Sequence, residues 1–178
     1  MALSEDFINR AKNIKCVIFD VDGVLTDGRL FFDLKGQEYK SFHAQDGQGL
    51  KLLQQQGINV AIISGRSSTI VDARMQALGV QHVYQGQKNK IAAYNDLIEK
   101  LGISPSQIAH VGDDLPDLAL MNRSGLAIAV NDANPSIIPY THWQTSRNGG
   151  TGAAREVCDA ILTAQGLLED AIHPFVDA

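Results

Sequence analysis

The sequence predicts an α/β fold: a Rossmann-like, mostly parallel sheet with helices on both faces. Three observations carry that prediction. Short apolar runs alternate along the chain with segments of helical spacing, the pattern that lays parallel strands side by side. Some runs, "CVIF" first among them, are apolar at every position, which suits strands buried on both faces. Three runs stop at polar punctuation: Asp20 and Asp22, then Ser64, then "GDDLPD" at 112–117.

The elements follow in order. "MALSEDFINRAKNIK" reads as a short polar helix without a signal peptide's apolar stretch. "CVIFD" (16–20) is the first buried strand. Residues 28–43 differ, with two short aromatic-rich runs flanking "LKGQ", a hairpin signal. A helix over 47–57 leads to a second buried strand, 58–64. The next helix, 68–79, carries Ile70, Val71, Met75 and Leu78 at helical spacing, and a short strand follows at 82–86. The clearest helix is 88–102, apolar at Ile91, Tyr94, Leu97, Ile98 and Leu101. Ser104 and Pro105 open a turn with an N-cap and a proline at the first helical position. Strands at 108–112, 126–130 and 142–145 complete the sheet. A last helix runs from about Ala153 to Gln165, and 167–178 reads as a tail. With no repeat or linker, the 178 residues are expected to form one domain.

Composition narrows the function. Apolar residues make up 44% and charged residues 20%, a globular profile. The net charge of −5, with lysines and arginines spread along the chain, offers no nucleic-acid footprint. No apolar run approaches the roughly 20 residues that span a bilayer. Cys16 and Cys158 lie far apart among apolar neighbours and read as buried free thiols. The cytoplasm is the expected compartment.

The polar punctuation carries the chemistry. In an open parallel sheet, ligands bind beyond the carboxyl ends of the strands, so three distant segments can converge there. Asp20 and Asp22 crowd like charges together, which costs free energy unless a cation or shared proton relieves them. Gly23 permits a sharp exit. Asp113, Asp114 and Asp117 add hard oxygen donors without His or Cys, a set suited to Mg²⁺ with substrate phosphate as a further ligand. Ser64 and Gly65 sit at a strand-to-helix turn, where a hydroxyl and backbone N–H groups can hold phosphate oxygens. Lys90, near the start of its helix, can neutralise charge in the same crevice.

"DVDGVLTD", "IISGR", a lysine opening a helix, and "GDDLPD" stand in the order and spacing of the four motifs of the haloacid-dehalogenase-like phosphatases, and the chain resembles that family over about residues 14–165. The resemblance implies that Asp20 is the nucleophile and forms an aspartyl-phosphate. It implies that Asp22 is the general acid and then the base. Asp20, the backbone carbonyl of Asp22, and Asp113 would hold Mg²⁺, with Asp114 and Asp117 in support. Ser64 would grip the phosphoryl group, and Lys90 would pair with Asp20 and the phosphate. Longer stretches, "DGVLTDGRLFFD", "FHAQDGQGL" and "RNGGTGAAREVCDAIL", are similar to a small subgroup acting on phosphorylated sugar acids. The implied substrate is 3-deoxy-D-manno-octulosonate 8-phosphate of lipopolysaccharide biosynthesis. Acylneuraminate 9-phosphate, broad specificity, and a regulatory sugar-phosphate-binding module are the alternatives.

A small hairpin insertion at 28–43 and no large cap leave nothing in one chain to close over a sugar acid. A neighbouring subunit can supply the lid, with Phe31, Phe32, Tyr39 and Phe42 as the surface to bury, and the resembled subgroup is tetrameric. Arg66 is then a candidate for the sugar carboxylate. Several readings stay open. Lys88 competes with Lys90. Asp114 can be only an N-cap, and Asp117 only helix-face charge. "NGGTG" and Arg155 either line the entrance or form a plain turn, and Asp27 can simply cap the hairpin. His43, His82, His110 and His142 show no metal-ligand spacing and read as structural.

Overall fold

The computed structural model describes residues 3–176. Its centre is a parallel six-stranded sheet. β1 (Cys16–Phe19) pairs on one side with β4 (Asn59–Ile63) and on the other with β6 (Ile108–Gly112). β5 (His82–Tyr84) lies outside β4, and β7 (Leu126–Ala129) and β8 (Trp143–Gln144) extend the other flank, giving the order β5-β4-β1-β6-β7-β8. The chain builds one flank after β1, then returns beside β1 to build the other. The reversal between β1 and β6 is the topological switch point, where a crevice opens at the carboxyl ends of the strands.

Alternation within each strand feeds two cores. Val17 and Phe19 of β1, with Val60 and Ile62 of β4, face the layer of α1 (Glu5–Ala11), α2 (Ala44–Gln55), α3 (Thr69–Leu78) and α6 (Ala153–Ala164). Cys16, Ile18, Ala61 and Ile63 face α4 (Lys90–Leu101) through Ala93, Tyr94 and Leu97, with Leu120 of α5 (Leu118–Met121) beside them. Both cysteines are free and buried, and burial pushes the Cys16 thiol up to about 12.

Two helix starts differ from expectation. α2 begins at Ala44, three residues before the expected start, because Gly47 and Gly49 lie inside it. A Cβ at Gly49 would meet Arg155 and Cys158 of α6 at 3.0–3.2 Å, so these glycines let α6 and Arg74 approach. α4 begins at Lys90, not Lys88, because the Asn89 side chain accepts from the Ile91 N–H and caps it there.

The hairpin at 28–43 forms, with β2 (Phe31–Phe32) antiparallel to β3 (Glu38–Tyr39). Leu30, Phe31, Phe32, Leu34 and Tyr39 are exposed, but Phe42 is half-buried against the core, with the Arg74 guanidinium 5.9 Å from its ring centroid. Phe42 therefore does not belong to the exposed patch. The expected tail is partly ordered. α7 (Leu168–Ile172) buries Ala171, and Leu167 and Leu168 pack against the core, so the segment is tied down; its last two residues, 177–178, lie outside the described residues, as do 1–2 of the first helix's segment. No helix among the described residues is long and apolar enough to cross a membrane.

Candidate active site

Parallel register sets three chain segments at one level. Phe19 pairs with Ile62 and with Val111, so Asp20, Ser64 and Asp113 emerge together at the carboxyl edge. The Asp20 N–H continues the ladder to the Val111 carbonyl at 3.0 Å, and the Ser64 N–H to that of Tyr84 at 2.9 Å. A cleft of about 450 Å³ opens above them. It is lined by Asp20, Asp22, Ser64, Gly65 and Arg66 from one side and by Lys90, Asp113, Asp114 and Asp117 from the other, so every expected site residue reaches it.

At its floor, Lys90 Nζ donates to Asp20 Oδ1 and to Asp117 Oδ1, each at 2.8 Å. Lys88 also borders the cleft but is exposed, whereas Lys90 is buried. Asp117 is buried, not helix-face charge. Its second oxygen accepts from the N–H groups of Asp113 (3.0 Å) and Asp114 (3.4 Å). Its first oxygen also meets His110 Nε2 at 3.1 Å; an ionised carboxylate can only accept, so that nitrogen carries the proton. Asp114 caps a 3₁₀ turn, Leu115–Asp117, rather than an α-helix, and its side chain accepts from Asn134 Nδ2 at 2.8 Å.

The charges decide what the cluster can hold. Burial and the neighbouring Asp117 raise the Asp20 carboxyl above its ordinary value, although Lys90 pulls the other way. Asp113 is pushed up to about 8, first by burial and then by Asp117, Asp20 and Asp114. Burial also opposes ionisation of Asp117, but His110 and Lys90 outweigh it and hold that carboxyl well below the usual range. Desolvation would lower Lys90, yet Asp117 and Asp20 raise it. Asp117 is therefore a committed anion, saturated by its partners. Asp20 and Asp113 are the carboxylates whose ionised forms a bound cation would favour. Oxygens of Asp20, Asp113 and Asp117 lie within 4.8 Å of one another, and this all-oxygen set fits Mg²⁺. A Cβ at Gly23 would stand 2.1 Å from Asp113 Oδ2, so the peptide after Asp22 runs directly against that carboxylate.

Opposite, the Ser64 carbonyl accepts from the Gln87 N–H at 3.0 Å and the Ser64 hydroxyl from the Arg66 N–H at 3.3 Å, which fixes the turn. Two residues that sequence reasoning passed over stand behind two of the lining side chains. Lys40 donates to Asp22 Oδ1, and Glu38 pairs with Arg66 at 2.6 Å. Burial opposes ionisation of Glu38, yet the hydrogen bonds and charges of Arg66 and Lys40 prevail and hold it below its ordinary value. The signal was present in "EYK": residues two apart in a strand share a face. His110, predicted to be structural, is a buried prop for Asp117.

"NGGTG" neither lines the cleft nor is a plain turn. The Gly150 N–H donates to the Val24 carbonyl at 2.9 Å, and a Cβ at Gly149 would lie 1.7 Å from the Gly23 carbonyl oxygen. The loop thus clamps the segment after Asp22, an approach that only glycine allows. Arg155 is also outside the cleft. Its side chain pairs with Asp159 at 2.8 Å, and its N–H donates to Asp46. Asp27 caps the hairpin approach by accepting from the Arg29 N–H.

A switch-point crevice with a lysine-paired aspartate, a second carboxylate beside it and a serine turn opposite defines a phosphoryl-transfer class, and residues 37–125 match the family model for haloacid dehalogenase-like hydrolases. The chain belongs to that family. A relative from Escherichia coli (strain K12), 3-deoxy-D-manno-octulosonate 8-phosphate phosphatase KdsC, is 48% identical over 169 residues, 95% of this chain and 90% of the relative. The phosphatase of the same name from Yersinia pestis matches at a TM-score of 0.93 and 46% identity, covering 94% of this chain and 90% of that one. The one from Moraxella catarrhalis, solved with magnesium, phosphate and KDO, matches at 0.94 and 43%, covering 97% and 99%.

Proposed function

We propose that the chain is a Mg²⁺-dependent phosphoric monoester hydrolase converting 3-deoxy-D-manno-octulosonate 8-phosphate to the free sugar acid and phosphate, a step of lipopolysaccharide biosynthesis. The observation that carries the chemistry is the buried Lys90–Asp20 pair beside Asp113. Relatives of this name, aligned over nearly the whole chain, support the substrate. In this reading Asp20 attacks phosphorus, and the bond to the sugar oxygen breaks as Asp22 gives that oxygen a proton. Asp22 then takes a proton from water, which attacks the aspartyl-phosphate and frees Asp20. Lys90 holds Asp20 in place and offsets its repulsion from the phosphate. Ser64 and the Gly65 N–H steady the phosphoryl oxygens, and Arg66 meets the sugar carboxylate. Asp20, Asp113 and the Asp22 carbonyl would hold Mg²⁺, which when bound neutralises phosphoryl charge. Asp114 and Asp117 support that set.

The same reading makes the chain one domain that assembles as a homotetramer with sites at subunit interfaces, and puts it in the cytoplasm. The exposed hairpin apolars favour the assembly, and two buried free thiols suit a reducing compartment. The test is phosphate release from a panel of sugar phosphates including acylneuraminate 9-phosphate. Strong preference for the octulosonate ester is expected. Even, weak release across the panel would overturn the substrate, and no release from any would leave a binding module.

A further inference from the structure

The hairpin brings a charge to the site as well as an apolar surface. Lys40, just beyond β3, turns its ammonium inward, and its side chain is 2% exposed. It donates to Asp22 Oδ1 and lies 3.3 Å from Glu38 Oε1. Glu38 pairs with the Arg66 guanidinium at 2.6 Å, and Arg66 Nε stands 3.5 Å from the other Asp22 oxygen. Charges alternate around this ring, and both Asp22 oxygens face a cation. Burying an ammonium costs several kcal/mol unless its geometry is well matched, so Lys40 is not a wandering surface lysine. Arg66 is 45% exposed at its side chain and is the group read above as meeting the sugar carboxylate. Lys40 is thus the buried cation on Asp22, and Arg66 the exposed one.

We infer that Lys40 is a positioning residue for the reaction, holding the Asp22 carboxyl at the leaving-group side of the cleft and tying the hairpin to proton transfer. The inference rests on the reading of Asp22 as acid and base. Proton transfer needs a heavy-atom separation of about 2.6–3.2 Å, and a misplacement of about 1 Å can cost about 100-fold. A carboxyl released from Lys40 sweeps its rotamers and spends little time in reach. The loss must depend on the leaving group. A sugar alkoxide needs the proton; p-nitrophenolate departs with little help.

The experiment compares kcat on octulosonate 8-phosphate and on p-nitrophenyl phosphate, with Mg²⁺, for wild type, Lys40→Met and Lys40→Arg. Lys40→Met is expected to lose about 10- to 100-fold on the sugar ester but less than about threefold on the aryl ester, with KM little changed. Lys40→Arg is expected to restore much of the loss. Equal losses on both esters, or no loss on either, would overturn the inference. If Lys40→Met lacks a native melting transition, the same ratio in Lys40→Gln decides. Wild type that spares the octulosonate ester yet hydrolyses other alkyl sugar phosphates would sink the substrate reading alone, and the Lys40 comparison then runs on those esters.

Discussion

Asp20, Asp22, Ser64, Lys90 and Asp113 were legible because each follows the end of an apolar run or opens a helix, and parallel register brings such ends to one edge. The ties among them were not legible. That Asp117 belongs to Lys90 and His110, and Asp22 to Lys40, depends on how residues 7 to 27 positions apart close on one another in space. The same closure sets the pH behaviour. Asp113 is raised from 3.8 to about 8, and Asp20 is raised in the same direction. Between the unfolded and folded values the native state binds more protons than the unfolded chain, so these groups erode stability as pH rises through that window. Asp117 is shifted the other way, and its contribution is already complete above about pH 4. Mg²⁺ reverses the cost by favouring the ionised forms. The gap in melting temperature between magnesium-loaded and chelated protein is expected to widen by roughly 5 °C from about pH 5 to about pH 8. A gap that is flat or narrows over that range would contradict the cation assignment.

At the scale of elements, short apolar runs between helical segments located every strand of the sheet, most clearly the four central ones that are buried on both faces. Ends were less legible. Glycines inside α2 hid its first turn because their reason lies in the neighbouring α6, and "NGGTG" concealed a clamp because its partner is backbone, which carries no sequence signature. The hairpin was recognisable by its turn, but which aromatic remains exposed depends on where Arg74 and the core sit. If the hairpins meet at the centre of a tetramer, Phe31→Glu with Phe32→Glu is expected to reduce the native mass in light scattering from four chains to one or two, leaving the melting transition of the fold in place. A variant that stays tetrameric would remove the hairpin from the interface.

Across the whole molecule, the sheet order is what converts a sequence pattern into a site. β1 lies at the centre, the two flanks meet beside it, and the residues after β1, β4 and β6 share one crevice. The strand list implied such a crevice, but only the observed order β5-β4-β1-β6-β7-β8 fixes the reversal between β1 and β6. Asp20, paired with Lys90 at that reversal, is the group we propose for metal-assisted phosphoryl transfer. The most direct measurement is phosphate release from 3-deoxy-D-manno-octulosonate 8-phosphate by wild type and Asp20→Asn, each with Mg²⁺ and with chelator. Release by wild type with Mg²⁺ alone, and a loss of at least about 10⁴-fold in a folded Asp20→Asn, is the expected result. Turnover that survives Asp20→Asn would remove Asp20 as the nucleophile, and turnover that ignores chelation would remove the metal.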